Sequence, residues 1–175
     1  MLKIAIVLIG LFSSVTARIG LAQDWRRDVK TLSDSATTDI NWTPARVRLD
    51  SIDSLPFAKV GKRTPRLNFE KHVVMLTALA YATKWESDGD IHLLLMDSLA
   101  HSIIAEVPSQ LIPPRFSHQF DTVRSWIEHN LDISSDGFTP VHRVVTVTGL
   151  IFQDYEHAKG AAPNEREIHP ILSIR

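Results

Sequence analysis

The order of the apolar segments after Glu70 constrains the fold more than any other feature of this sequence. Most segments are rich in Val, Ile, Leu and Thr, and turn residues separate them, which favours strands with short connections. One segment repeats its apolar residues every three or four positions, which is typical of an amphipathic helix. The pattern predicts strands over His72–Lys84, Ile91–Asp97, Ser102–Val107, Val141–Phe152 and Glu167–Ile174, and a helix over His118–Leu131.

Three strands, a helix and two further strands follow the order of the OB-fold, a small, partly open five-stranded barrel. Such barrels bind ligands over one face, with the loops between strands 1–2 and 4–5 beside it. Gly149 interrupts the fourth predicted strand and indicates a bulge or bend at a barrel corner. We therefore predict a mainly β protein with an OB-fold-like barrel. A flat α+β sandwich of the same elements is the alternative.

Residues 1–22 have the features of a secretory signal peptide. Lys3 precedes the apolar run Ile4–Phe12, and the small residues of Gly20–Ala22 fit a cleavage site. The apolar run is too short to cross about 30 Å of hydrocarbon as a helix, which disfavours a membrane anchor. We expect an exported protein, periplasmic or extracellular, without a transmembrane segment after cleavage.

The residues between the predicted signal and the predicted barrel are polar, weakly periodic and interrupted by three prolines. We interpret residues 23–69 as an irregular lead segment that wraps the barrel, with one short helix over Ala45–Ser54. The barrel domain is then residues 70–175.

Composition excludes several functional classes. The chain has no cysteine, which excludes disulfides, cysteine-type zinc sites, iron–sulfur clusters and thiol catalysis. Its formal net charge is −1, so there is no basic surplus to neutralise phosphates, and we do not expect binding to duplex nucleic acid.

Acidic residues and histidines cluster in the two loops that would flank the binding face and on the third and fifth predicted strands. Imidazole and carboxylate together suit zinc or manganese, so a divalent metal is the candidate cofactor. The candidate ligand-binding residues are Asp88, Asp90, His92, Glu106, Asp154, His157, Glu167 and His169. The candidate metal ligands among them are Asp90, Glu106, His157 and His169.

A structural polar clasp is the alternative to a metal site. In a clasp the groups hydrogen-bond to one another and hold the loop between strands 4 and 5 without a metal. The spacing matches no known zinc motif, which favours the clasp. Its members would be Asp154, His157, Glu167 and His169.

Four stretches resemble a family of exported bacterial OB-fold-like proteins. The shared pattern is Asp-Gly-Asp-x-His-Leu, Glu-Val-Pro, Val-Thr-Gly-x-x-Phe-x-Asp-x-x-His and Glu-Ile-His-Pro. It occurs here within Trp85–Leu95, Ile103–Pro108, Val145–His157 and Glu167–Leu172. The family usually has Gly after the loop His and Asn-Gly before the terminal Glu, where this chain has Ala158 and Glu165-Arg166. The resemblance implies the fold and export, and it implies no particular activity.

A weaker resemblance is to the thermonuclease type of OB-fold. Asp90 and Glu106 match the positions at which thermonucleases bind calcium beside the scissile phosphate. The chain departs from that pattern, because Ser109 and Gln110 stand where a further acid is needed and Ser102–Val107 lacks the arginine. The leading functional prediction is therefore a soluble OB-fold-like binding module whose ligand the sequence does not identify. A metal-dependent hydrolase acting on phosphodiesters is the alternative.

Overall fold

The computed structural model describes residues 25–109, 113–155 and 164–175. The predicted signal peptide, residues 1–22, lies outside them. Among the described helices, none is long and apolar enough to span a bilayer. The elements are α1 (Arg27–Lys30), β1 (Asn41–Arg46), α2 (Leu49–Asp53), β2 (His72–Trp85), β3 (Ile91–Met96), β4 (Ser102–Val107), α3 (Pro114–Asn130), β5 (Thr139–Gln153) and β6 (Arg166–Ile174), with 3₁₀ turns at Ser35–Asp39 and Asn68–Lys71.

The protein is mainly β, and its strands close into a ring. β2 pairs antiparallel with both β3 and β5, β3 pairs with β4, and β5 pairs with β6. A parallel pairing of β4 with β6 completes the ring. The ring is uneven, because β2 and β5 pair over most of their length while β4 and β6 share only the registered pairs Ile104–Glu167 and Ala105–Ile168.

The sheet has six strands, one more than the predicted five. The additional strand, β1, comes from the lead segment and pairs parallel with the start of β2, between Asn41–Arg46 and His72–Met75. Pro44 lies within β1 and all six of its residues are exposed, so it has no apolar alternation that a sequence reading could detect. The lead segment is therefore not irregular throughout, and its helix α2 is shorter than the predicted Ala45–Ser54.

The core fills the ring, and α3 covers it on one side. Val145 and Val147 have the same parity on β5, which places both side chains on one face, and each is 1% exposed in the core. Phe120 and Ile127 from the apolar stripe of α3 are also fully buried in this core. The valines of β5 and the apolar residues of α3 are buried in the same core, which packs the helix against the sheet.

Gly149 produces the predicted bulge. The register between β5 and β6 shifts on both sides of it. A Cβ atom at this position would lie 2.6 Å from the carbonyl oxygen of Pro170 and would also collide with the Ile168 side chain. The absence of a side chain therefore lets β6 approach β5 closely.

Buried Arg26 fastens the lead segment to the ring. Its Nη1 donates to Glu70 Oε1 and to the Gln153 carbonyl oxygen, both at 2.8 Å. Its Nη2 donates to Glu70 Oε2 at 2.5 Å and to the Pro65 carbonyl oxygen at 3.1 Å, and its Nε donates to the Thr64 carbonyl oxygen at 2.9 Å. All five guanidinium donors are thus used. We call Arg26, Glu70 and Gln153 the anchor; it fixes α1, which begins at the next residue, against the ring.

Candidate functional site

A cleft of about 60 Å³ lies where the β2–β3 turn meets the end of β4, the end of β5 and the start of β6. This volume accommodates an ion with a few waters, since one water needs roughly 10–15 Å³ by the same measure. Five carboxylates and two fixed cations face it. The lining residues are Trp25, Arg27, Lys30, Asp88, Asp90, His92, Glu106, Asp154, Tyr155 and Glu167.

The β2–β3 turn places Asp90 beneath the cleft. The turn is closed by hydrogen bonds from the Glu86 amide to the Asp90 carbonyl and from the Gly89 amide to the Glu86 carbonyl, both 2.9 Å. Gly89 has φ +85°, a conformation that favours glycine. Asp90 Oδ1 accepts the Ser109 amide at 2.8 Å, which leaves Oδ2 facing His169 Nε2 at 4.0 Å.

Strand register brings Glu106 between two histidines. β3 and β4 pair His92 with Glu106, and Oε1 of this glutamate lies 2.5 Å from His92 Nε2. β4 and β6 pair Ile104 with Glu167, so two residues further along, Glu106 and His169 are neighbours on the same face. Glu106 Oε2 accordingly lies 2.8 Å from His169 Nδ1.

His169 is the most unusual group of the site. Its side chain is 0% exposed, yet neither ring nitrogen has a hydrogen bond within the described part of the chain. Glu106 Oε2 is within contact distance of Nδ1, but it lies out of line for an N–H donor. A buried polar group without a hydrogen bond costs about 1–3 kcal/mol, and a role in binding a ligand is one explanation for it. Ligand atoms of Asp90, Glu106 and His169 all lie within 4.8 Å of one another, close to the span of one coordination sphere.

Lys30 supplies positive charge to two acidic residues of the cleft, Asp154 and Glu167. It is the last residue of α1, and its Nζ lies 3.6 Å from Asp154 Oδ2 and 3.9 Å from Glu167 Oε2. Burial lowers the pKa of Lys30, but the charges of Glu106, Glu167 and Asp154 outweigh burial and raise that pKa above its ordinary value. Lys30 is therefore a fixed positive charge.

The same charges divide the carboxylates into two classes. Burial raises the pKa of Glu106, but Lys30 and His92 outweigh burial and hold that pKa well below its ordinary range. Burial and the charge of Glu106 raise the pKa of Glu167 well above its ordinary value, and burial also raises the pKa of Asp90. Burial lowers the pKa of His92, but Glu106 reverses this and raises it. The surrounding charges thus favour the ionised form of Glu106, whereas Glu167 and Asp90 resist ionisation.

Six of the eight predicted site residues line this cleft, and His169 lies fully buried next to Glu106. His157 lies outside the described residues. Asp88 contributes at the rim, where its Oδ1 accepts the Asp90 amide at 3.1 Å and its Oδ2 lies 4.0 Å from Arg27 Nη1. The predicted clasp includes His157 and stays a prediction; within the described residues, His169 Nδ1 lies 4.0 Å from Glu167 Oε2, beyond hydrogen-bond distance.

Sequence reasoning missed the contribution of the lead segment. Lys30 and Arg27 reach the cleft only because the anchor holds α1 against the ring, and no local motif signals that placement. Trp25 and Tyr155 form part of the wall, with ring centroids 4.8 Å apart. Basic residues in a polar segment are too common to identify a site.

No family model and no curated protein matches the chain. Among solved structures, it is similar to the asparaginyl-tRNA synthetase of Entamoeba histolytica in complex with asparaginyl-adenylate, at 10% identity and a TM-score of 0.41, over 77% of this chain and 23% of the synthetase. Another structure of this synthetase gives 11% identity and a TM-score of 0.37, over 76% of this chain and 23% of the synthetase. The chain thus spans less than a quarter of the synthetase, and at these values the likeness identifies neither a shared fold nor a shared activity.

Proposed function

We propose that the protein is an exported OB-fold-like binding module that holds a divalent metal ion in its cleft. The ligands are Asp90, Glu106 and His169. The observation that carries the proposal is His169, which is fully buried, has two ring nitrogens without hydrogen bonds and lies between two carboxylates. One imidazole with carboxylates is a ligand set that suits zinc or manganese.

The strand order supports the barrel part of this proposal. Without β1, the ring runs β2, β3, β4, β6, β5 and back to β2, and α3 follows the third of these strands along the chain. The cleft lies beside the β2–β3 turn and the end of β5. These are the first and fourth ring strands along the chain, and OB-folds bind their ligands beside the loops that follow them. The export part rests on the signal-like features of residues 1–22.

Metal binding can be measured directly. Protein stripped with a chelator is titrated with Zn²⁺ and Mn²⁺, bound metal is counted by elemental analysis after gel filtration, and thermal melts are compared. We expect one equivalent of metal and a higher melting temperature, because an ion that binds only the native state stabilises it. His169→Ala should abolish both effects.

His118→Ala is the matched control, since His118 is exposed on α3, away from the cleft. It should bind metal as the unaltered protein does. Absence of bound metal in the unaltered protein, or equal binding by the His169 variant, would contradict the proposal.

A phosphodiester hydrolase is the second candidate, and the presence of Arg27 and Lys30 in the same cleft favours it. A metal ion with neighbouring cations can bind the negative oxygens of a phosphodiester and polarise the phosphorus. The test is release of nitrophenolate from bis(4-nitrophenyl) phosphate with Mn²⁺. If the protein is a hydrolase, Arg27→Met should lose hydrolysis while it still binds metal. If the unaltered, metal-loaded protein releases no nitrophenolate, the hydrolase candidate is wrong and the binding module is the remaining proposal.

A further inference from the structure

The acidic cluster of the cleft has two halves that share one carboxylate. One half is Asp90, Glu106 and His169; the other is Asp154 with Lys30. Glu167 Oε2 lies between them, 4.0 Å from His169 Nδ1 and 3.9 Å from Lys30 Nζ. Among the residues that the structure describes, this oxygen has no hydrogen-bond donor, although the Glu167 side chain is nine-tenths buried. A buried carboxylate oxygen that faces an imidazole nitrogen and an ammonium and is hydrogen-bonded to neither has the arrangement of a bridging ligand.

Lys30 does not form a fitted ion pair. Charge-assisted hydrogen bonds measure about 2.7–2.9 Å, whereas the Lys30 ammonium lies 3.6 Å from Asp154 and 3.9 Å from Glu167. By contrast, Arg26 contacts Glu70 at 2.5 and 2.8 Å. Toward these acids, Lys30 therefore acts through its positive charge and not through directed hydrogen bonds.

We propose that Lys30 is a built-in second cation, whose ammonium fills a position that would otherwise bind a second divalent ion between Asp154 and Glu167. The inference rests on the proposed metal site at Asp90, Glu106 and His169. Binuclear sites hold two ions about 3.5–4 Å apart with carboxylates between them. Here the second positive charge belongs to the chain, so the natural site takes one exchangeable ion, and the ammonium supplies half the charge of a second divalent ion.

The test is the stoichiometry of Mn²⁺ binding after removal of the ammonium. Lys30→Met keeps much of the length and apolar stem of the side chain and removes its charge. We expect bound Mn²⁺ to rise from one equivalent to two, and the electron paramagnetic resonance spectrum to show two exchange-coupled ions. Lys30→Arg keeps the charge and should stay at one equivalent. Lys71→Met is the matched control, because Lys71 pairs with Asp39 at the surface.

A second substitution locates the additional ion. Asp154→Asn in the Lys30→Met background should return the stoichiometry to one, since it removes a ligand that belongs only to the second position. If the double variant still binds two coupled ions, the second position is not at Asp154 and the inference is wrong.

The outcomes separate this inference from the proposed function. If the unaltered protein binds no Mn²⁺, the metal site itself is wrong. If the unaltered protein and Lys30→Met each bind one equivalent, the metal site stands and the second-cation role is overturned. If Lys30→Met is unfolded without metal, folding with two equivalents of Mn²⁺ supports the inference, and failure to fold with excess Mn²⁺ overturns it.

Discussion

Two buried clusters of charged residues lie near one ring, that of Phe152, and they differ in how completely their atoms are paired. The Phe152 centroid is 4.9 Å from Arg26 Cζ in the anchor and 5.0 Å from Lys30 Nζ in the cleft. In the anchor, every guanidinium donor has an acceptor, and Glu70 also accepts backbone amides. In the cleft, His169 and one oxygen of Glu167 have none.

Complete pairing distinguishes the buried charges that stabilise the fold from those that are suited to binding a ligand. A fully satisfied network in a low-dielectric interior stabilises one conformation, and unpaired polar atoms in the same environment cost stability. The anchor has this satisfied form. The cleft keeps unpaired atoms and an excess of carboxylates, which is costly for a structural element and suitable for a cation site.

Breaking the anchor should have the largest effect on stability. Glu70→Gln removes the charge that faces buried Arg26, and loss of one partner of a buried pair costs about 3–5 kcal/mol. Denaturant unfolding measures this loss. Lys71→Met, at the neighbouring exposed pair, should cost at most about 1 kcal/mol. Equal losses of stability from the two substitutions would show that the anchor stabilises the fold no more than a surface ion pair does.

Disrupting the close approach of β5 and β6 should have the next largest effect, and it should lower both the stability of the protein and its affinity for metal. Gly149→Ala places a methyl group against the Pro170 carbonyl, and such overpacking typically costs about 1–3 kcal/mol. Because β6 carries Glu167 and His169, metal affinity should fall as well. Gly61→Ala is the control, since its nearest neighbour, a Thr64 oxygen, is at an ordinary 3.6 Å. Metal affinity unchanged in a destabilised Gly149 variant would show that the cleft does not depend on this contact.

The Glu-to-Gln substitution can also be made in the cleft, at Glu167, where we expect a different effect on stability. Burial and Glu106 raise the pKa of Glu167, so the native state disfavours a charge that glutamine does not carry. In the presence of a chelator, Glu167→Gln should leave the free energy of unfolding at neutral pH unchanged or higher. A loss similar to that of Glu70→Gln would mean that both clusters are structural.

An exposed pair gives the smallest effect. The hydrogen bond to Asp97 raises the pKa of His101 above 6.5, with Nδ1 and Oδ2 2.8 Å apart. Its stabilisation is therefore complete below about pH 6.5 and is lost as the pH rises through the folded-state pKa. A proton NMR titration should give a higher His101 pKa in the unaltered protein than in Asp97→Asn. Identical titrations would show that the pair does not form in solution.

Periodicity predicted much of the sheet because burial imposes it. Residues of β5 such as Val145 and Val147 face the core and alternate with exposed ones, so the strand is visible in the sequence. β1 is exposed along its length and is held by backbone pairing with β2, which does not depend on apolar side chains, so it left no such pattern.

The candidate site followed from topology and not from spacing. Asp90, Glu106 and His169 lie on different strands, and only the assumed strand order placed them at the same end of the ring. Lys30 could not be found this way, because the anchor that positions it joins residues 38 to 127 positions apart along the chain.

The parallel pairing of β4 with β6 also determines when the cleft can form during folding. β6 follows every other described strand, and its place between β4 and β5 requires the chain from residue 107 onwards to return to the ring. Contacts between residues so distant along the chain form slowly, because closing the intervening loop costs entropy before the contact repays it. Glu106 can meet His169 only at this late step. Metal added during refolding should therefore slow unfolding more than it speeds folding.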